Sequence, residues 1–241
     1  MKYLISLMLL IICMNKLFAQ STDEIIQKHI EVIGGERWNS ISTFFIEATT
    51  NTNQGKVSIS KISIKDRAVR NNITIEPLDA SRHEKKYYII LDGDKGWQYL
   101  PGNNNRPVYT LYKNEVDILR DELDYEDPFL RAVEKEREIS LLDIVYEGDE
   151  EFYKFMVDFK SGKRQFCYIN TQTLMIDKIE TVGLEGEVRY SNYEPTPEGI
   201  MIARKTINNV GTVKIVAVKI NLPVNAAIFQ PTETDNQHFV R

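Results

Sequence analysis

The sequence is poor in the residues that build catalytic and metal sites. It has two cysteines, Cys13 and Cys167, and three histidines, His29, His83 and His238, far apart along the chain. A zinc site needs Cys and His in clusters, and a hydrolase triad needs nucleophile, base and acid in contact. His29 falls on the apolar face of the first helix and reads as a packed side chain. His83 lies between Arg82 and Glu84 on an exposed loop, and His238 lies in a polar tail. No serine stands in a nucleophile-elbow context, and no glycine-rich phosphate loop is present. Asp92-Gly93-Asp94 lacks the later ligands of a calcium loop and reads as a hairpin turn. The expectation is a protein that is not an enzyme and holds no metal or cofactor. Positive charge is also scarce: 30 basic residues face 35 acidic ones, a net charge of −5, which argues against a nucleic-acid partner. Nor is there a long hydrophobic run. Tyr3 to Met14, broken by Ser6, falls short of the ~20 residues that cross a bilayer.

That short run has the form of a secretory leader: Lys2, an apolar middle, then Leu17-Phe18-Ala19 before Gln20. Residues 1–19 are read as a signal peptide cleaved after Ala19, which places the mature protein in the periplasm. Ile12 precedes Cys13 where a lipidation signal wants a small residue, so no lipid is expected on the chain itself. Only Cys167 is left after cleavage, so an internal disulfide is excluded. That thiol reads as a small buried hydrophobe.

From Gln20 the pattern is helical and then turns to strands. Ser21 and Glu24 form a capping box, Ile25, Ile26, His29, Ile30 and Ile33 follow at helical spacing, and Gly34-Gly35 ends the run. Trp38 and Ile41 suit a short second helix that pins the first. Alternation of period two starts at Phe44 and Ile46 and continues through Val57 and Ile59. It then shifts to Ile62 and Ile64, which predicts a bulge. Tyr87 to Leu91 is apolar throughout and fits a strand covered on both sides. Asp92 to Gly96 is a turn, and Trp97-Gln98-Tyr99 starts the return. Between Tyr112 and Glu136 the spacing predicts two short helices, with Pro128 as a hinge. Strands resume at Ile139 and run almost to Phe229-Gln230-Pro231. Roughly ten short strands with few helices predict a mainly β (α+β) fold with one large antiparallel sheet. A sheet this wide must curl, and a few helices do not fill its hollow, which leaves an apolar space where ligands sit. Residues 20–231 form the domain, and 232–241 a flexible tail.

The order of these pieces resembles the LolA-like periplasmic lipoprotein-carrier superfamily, in the variant called outer membrane lipoprotein-sorting proteins. The residues that carry the resemblance are Asp23-Glu24-Ile25-Ile26 to Ile33-Gly34-Gly35, then Asp92-Gly93 to Gly96-Trp97-Gln98. Further on they are Tyr168-Ile169-Asn170 with Thr173-Leu174, Tyr190-Ser191-Asn192-Tyr193 with Gly199-Ile200, Val218-Lys219-Ile220-Asn221, and Ile228-Phe229-Gln230-Pro231. The resemblance implies an unclosed β-barrel wrapped over helices around an apolar cavity, a role in outer membrane biogenesis, and a lipid or acylated lipoprotein as cargo. Partner proteins at the inner or outer membrane would deliver or receive it. The chain departs from the family at Ala203, where a proline is frequent, and in the density of acids from Glu115 to Asp127. Those acids read as a solvated helix face, or as a surface for a cationic partner.

The candidates to line the cavity are Phe44, Ile46, Ile59, Ile90, Trp97, Phe155, Val157, Phe159 and Phe166, drawn from the strand residues of a chain with 12 Tyr, 10 Phe and 2 Trp. Alternation does not say which strand face looks inward. The expected protein is a monomeric lipid-binding carrier. The alternative is a cell-envelope interaction or sensor domain on the same fold, with no open cavity. Expression in a Gram-negative host should yield a mature protein whose N-terminal sequencing begins at Gln20; an intact Met1 would sink the leader reading.

Overall fold

Among the described residues, thirteen strands pair antiparallel, neighbour to neighbour, into one sheet that does not close on itself. The computed structural model describes residues 21–79, 81–100 and 108–231, so the leader and the tail lie outside the described residues. Helix α1 is Thr22–Val32. The first six strands are β1 Thr43–Thr52, β2 Gly55–Ile64, β3 Ala68–Pro77, β4 Lys85–Asp92, β5 Lys95–Tyr99 and β6 Val108–Thr110. Helix α2, Lys113–Leu123, separates them from β7 Glu138–Glu147, β8 Glu150–Asp158, β9 Arg164–Asn170, β10 Ile176–Thr181, β11 Glu187–Pro195, β12 Met201–Asn208 and β13 Gly211–Ile220.

The local signals act as their chemistry requires. The Glu24 N–H donates to Ser21 Oγ at 3.1 Å, and Asp23 and Glu24 sit in the first turn of α1, where the helix dipole favours negative charge. Gly34 takes φ 130°, and a Cβ there would lie 2.9 Å from Ile200 Cγ2, so the chain can turn only as glycine. A 3₁₀ turn, Gly35–Ser40, then brings Trp38 back to donate its indole N–H to the Ile33 carbonyl at 3.0 Å.

The strand order is β6-β5-β4-β3-β2-β1-β13-β12-β11-β10-β9-β8-β7. First and last strands meet at the centre, with Phe44 opposite Ile220. The two edges, β6 and β7, are consecutive in sequence. The segment between them must therefore travel from one edge of the sheet to the other, and it does so across the face that carries α1. We refer to residues 111–137 as the strap.

Register assigns the faces. Phe44 stands opposite Ser63, Ser63 opposite Val69, Val69 opposite Leu91, and Leu91 opposite Gly96, so these share the strap-facing side. Ile62, Arg70, Ile90 and Trp97 are matched in the same way on the other side. There Phe229, in the C-terminal 3₁₀ turn Ala226–Phe229, is buried among Ala68, Tyr88, Ile90 and Tyr99. Strand β4 is thus covered on both faces: Leu91 packs with Val69, Leu111 and Val116, and Ile90 packs under Phe229.

Two local expectations need correction. Strand β2 carries no bulge, because its pairing with β1 and with β3 runs without a shift. The apolar residues change parity there because the sheet is dry on both sides: Val57 and Ile59 face the strap, while Ile62 and Ile64 face the C-terminal turn. The second strap helix does not form either. Asp127-Pro128 makes a turn closed by the Leu130 N–H on the Asp127 carbonyl at 3.0 Å, and residues 128–136 continue as turns, with Arg131 and Glu136 at positive φ. A proline disfavours helix at the residue before it, and the Asp127 side chain takes the Phe129 N–H at 2.9 Å in competition with helical pairing.

Helix α2 can lie close to the sheet only because position 96 has no side chain. A Cβ at Gly96 would come within 2.8 Å of Leu111 Cδ1 and Val116 Cγ2 and within 2.9 Å of Leu91 Cδ2. Gly96→Val should lower the denaturant midpoint by the equivalent of about 1–3 kcal/mol through overpacking. An unaltered midpoint would mean that α2 does not bear on β5.

Candidate functional site

The strap is built as a plug with a polar latch. Its helical part turns Val116, Leu119 and Leu123 onto Val69, Leu91 and Leu111. Beyond the Asp127-Pro128 turn, two large side chains point into the hollow. Phe129 is 1% exposed and packs with Ile25, Phe155, Val157, Phe159 and Cys167, its ring edge-on to Phe155 at 5.2 Å between centroids. Leu130 enters the second cluster, with Ile33, Trp38, Phe44, Ile200 and Ile220. Tyr125 lies flat on Phe44, 4.7 Å between centroids. One irregular segment thus fills the space between the two halves of the sheet.

Charge holds that segment down. The Glu126 carboxylate is buried and pairs with Arg131 at 2.8 Å and Lys135 at 2.6 Å. Arg131 also grips Asp66 in the β2–β3 turn at 2.7 Å, and Lys65 Nζ of that turn lies 3.8 Å from Glu126. Burial alone would raise the Asp124 carboxyl, but Lys135 and Arg137 outweigh it and hold the group below the usual carboxylate range. Arg137 donates to Asp124 at 2.6 Å and to the Pro128 carbonyl at 3.0 Å, with its guanidinium over the Phe159 ring. Lys61 in β2 donates to the Leu123 carbonyl at 3.2 Å, and Lys163 in the β8–β9 turn to the Asp121 carbonyl at 3.1 Å. Burial lowers both lysines. The strap is therefore tied to both halves of the sheet.

His29 ties it to α1. The ring is fully buried and edge-on to Phe129. Its Nδ1 lies 2.7 Å from the Leu174 carbonyl, which can only accept, so Nδ1 carries a proton. Nε2 faces Asp127 Oδ2 at 3.2 Å, close enough for an ion pair. Burial pushes the imidazole down, yet the Asp127 carboxylate, with the Leu174 carbonyl, more than offsets it, so its affinity for the second proton is raised.

A cleft of about 480 Å³ opens between α2, the β2–β3 turn and the end of the strap. Its rim is charged, with Arg67, Arg120, Asp124 and Lys135, while Val69 and Leu123 reach it from the apolar interior. This volume is within the range of small-molecule sites.

Six of the nine cavity candidates lie on the strap-facing side. Phe44 and Ile46 are beside Leu130, Phe155, Val157 and Phe159 are beside Phe129, and Ile59 is further along β2, opposite Ile73. The other three lie on the back. Ile90 and Trp97 are under the C-terminal turn, and Phe166 sits beneath Lys154, whose Nζ is 4.7 Å from the ring centroid. Phe166 alternates with Cys167, which is fully buried in the Phe155 cluster and whose thiol is pushed far up by burial. Sequence reasoning missed that Phe129 and Leu130 fill the space between the two halves of the sheet, and it missed the latch. The signal was a dense acidic run ending at Asp127 and followed by Arg131, Lys135 and Arg137. The partners of Asp124 and Glu126 are cations of the same strap, joined at Glu126 by Lys65 of the β2–β3 turn.

No protein-family profile and no curated protein matches the sequence. Solved structures match in fold. A domain from Vibrio parahaemolyticus named for outer membrane lipoprotein sorting aligns at 11% identity and a TM-score of 0.54, over 86% of this chain and 94% of its own. A LolA-superfamily protein from Nitrosomonas europaea aligns at 14% and 0.52, over 88% and 99%. A DUF1329-family protein from Desulfovibrio piger aligns at 17% and 0.55, over 86% and 95%. The chain shares its fold with these structures: a wide unclosed antiparallel sheet with few helices.

The raised affinity of His29 for a proton fixes the sign of a pH effect. Its stabilising share is fully present below the ordinary value of 6.5 and is lost as pH rises through the higher folded value. Asp127→Asn should move the His29 titration, followed by NMR, to lower pH and flatten the alkaline loss of stability. A titration that stays in place would remove Asp127 as the cause.

Proposed function

We propose that the protein is a periplasmic carrier that holds the acyl chains of a lipid or lipoprotein in the space filled here by Phe129 and Leu130. The observation that carries this reading is the construction of the plug: two large apolar side chains on an irregular segment, fastened to both halves of the sheet by ion pairs. Hydrocarbon that replaces them keeps the sheet's inner face dry. A chain of roughly sixteen carbons gains on the order of 12 kcal/mol by leaving water, at ~0.8 kcal/mol per methylene. The charges freed from the latch return to solvent, which offsets their lost pairing. Opening therefore costs little once cargo is present, and the same segment can expel cargo when it closes. The charged rim of the cleft suits the polar end of such a ligand, and the leader read in residues 1–19 supplies export. In this reading the protein performs no chemistry on its cargo.

Asp66→Asn removes the closest ion pair between the strap and the β2–β3 turn at an exposed carboxylate, leaving no buried charge unpaired. It should speed the exchange of a fluorescent fatty acid several-fold while changing stability by no more than about 1 kcal/mol. Unchanged exchange would remove the strap as the gate. Failure of the wild-type protein to bind the probe saturably, together with native mass spectra free of lipid, would end the carrier reading in favour of an interaction or sensor domain.

A further inference from the structure

The two edges of the sheet are unlike. Strand β6 is three residues long, short enough to offer little to a passing chain, whereas β7 has ten residues and spans roughly 33 Å. Among the described residues, nothing pairs with the outer side of β7. Proteins commonly protect such an edge with lysine, proline or a covering loop. Strand β7 has no lysine and no proline; its guards are a few carboxylates, which repel an acidic chain but not a basic one, and the bulge at Leu142, where the register with β8 shifts. Three large apolar side chains stand exposed along it: Leu142 at 47%, Ile144 at 43% and Tyr146 at 70%. The inner residues Ile139 and Leu141 continue the Phe155 cluster to this edge, so the dry face ends here uncapped.

Charge selects the occupant. From Glu138 to Glu151 there are six acidic residues and no lysine or arginine. Glu147 is answered by Lys178 of β10 and Arg189 of β11, but Glu138 and Asp143 have no ion-pair partner among the described residues. A second copy of the chain laid against β7 would set these carboxylates against one another, which is destabilising. We infer that β7 is the docking edge for an extended, lysine- or arginine-bearing segment of a partner polypeptide, added as a fourteenth strand. The open backbone N–H and C=O groups supply affinity, alternate apolar side chains of the segment cover Ile144 and Tyr146, and basic ones meet Glu138 and Asp143. The contact is main-chain pairing along the outer side of β7 and needs no cargo in the hollow, so it stands or falls independently of the carrier reading.

The test uses a fluorescent peptide that alternates lysine and valine, followed by anisotropy, with amide hydrogen exchange on the same complex. Saturable binding that weakens with salt and slows exchange along β7 is the expected result. A peptide with glutamate in place of lysine should not bind. The double variant Asp143→Lys, Ile144→Lys should weaken binding at least roughly tenfold, with its fold checked by circular dichroism. If that variant fails to fold, exchange along β7 of the wild-type protein decides the matter alone. No saturable binding, or protection that appears elsewhere and not on β7, would overturn the inference.

Discussion

The structure depends on one geometric constraint: a sheet of thirteen strands that does not close has an apolar inner face too wide for the helices beside it. Helix α1 covers part of that face through Ile25, Ile30 and Ile33. The rest falls to the strap, and topology leaves no other segment for the task. The chain exits the sheet at β6 and re-enters at β7, on opposite edges, so everything between must bridge the opening. The bridge is not a continuous helix. It changes direction at Pro128 and lowers Phe129 and Leu130 into two separate clusters on either side of the bend.

Apolar contacts alone would hold such a bridge firmly or not at all. Charged groups give it defined seats. Buried ion pairs contribute little net stability, since desolvation consumes most of their attraction, but breaking one partner away is costly and geometry-sensitive. Glu126, Asp124, Arg131, Lys135 and Arg137 therefore specify where the strap sits more than how strongly it is bound. His29 adds a tether to α1 that depends on its protonation. The cations come from the strap and from the β2–β3 and β8–β9 turns, so both halves of the sheet share in the seating.

Much of the architecture was legible in the sequence because it is local. The Ser21 cap, the hairpin turn at Asp92 to Gly96 and the alternating runs each carry their own signal within a few residues. Face assignment was not legible, because it depends on what lies on the far side. At Ile62 and Ile64 the shift of parity looked like a bulge, since nothing nearby in sequence reveals that Phe229 returns to cover that side. The same blindness joined Ile90, Trp97 and Phe166 to Phe44 and Phe155 in one set, although the sheet lies between the two groups. The latch escaped because its acids and bases stand side by side in the chain, where charge usually reads as a solvated surface.

The central seam between β1 and β13 has a consequence for how the chain reaches this state. It joins the start of the sheet to its end, Phe44 to Ile220, and pairs of such separation form late and slowly. Until β13 arrives, the strands before the strap and those after it are two independent meanders, each with a bare inner border. A nascent chain stopped short of residue 211 would have every hairpin of the mature sheet except β12–β13 and still not be one object. The last ten residues of the sheet act as its keystone, and the molecule is most open to mispairing just before they are set.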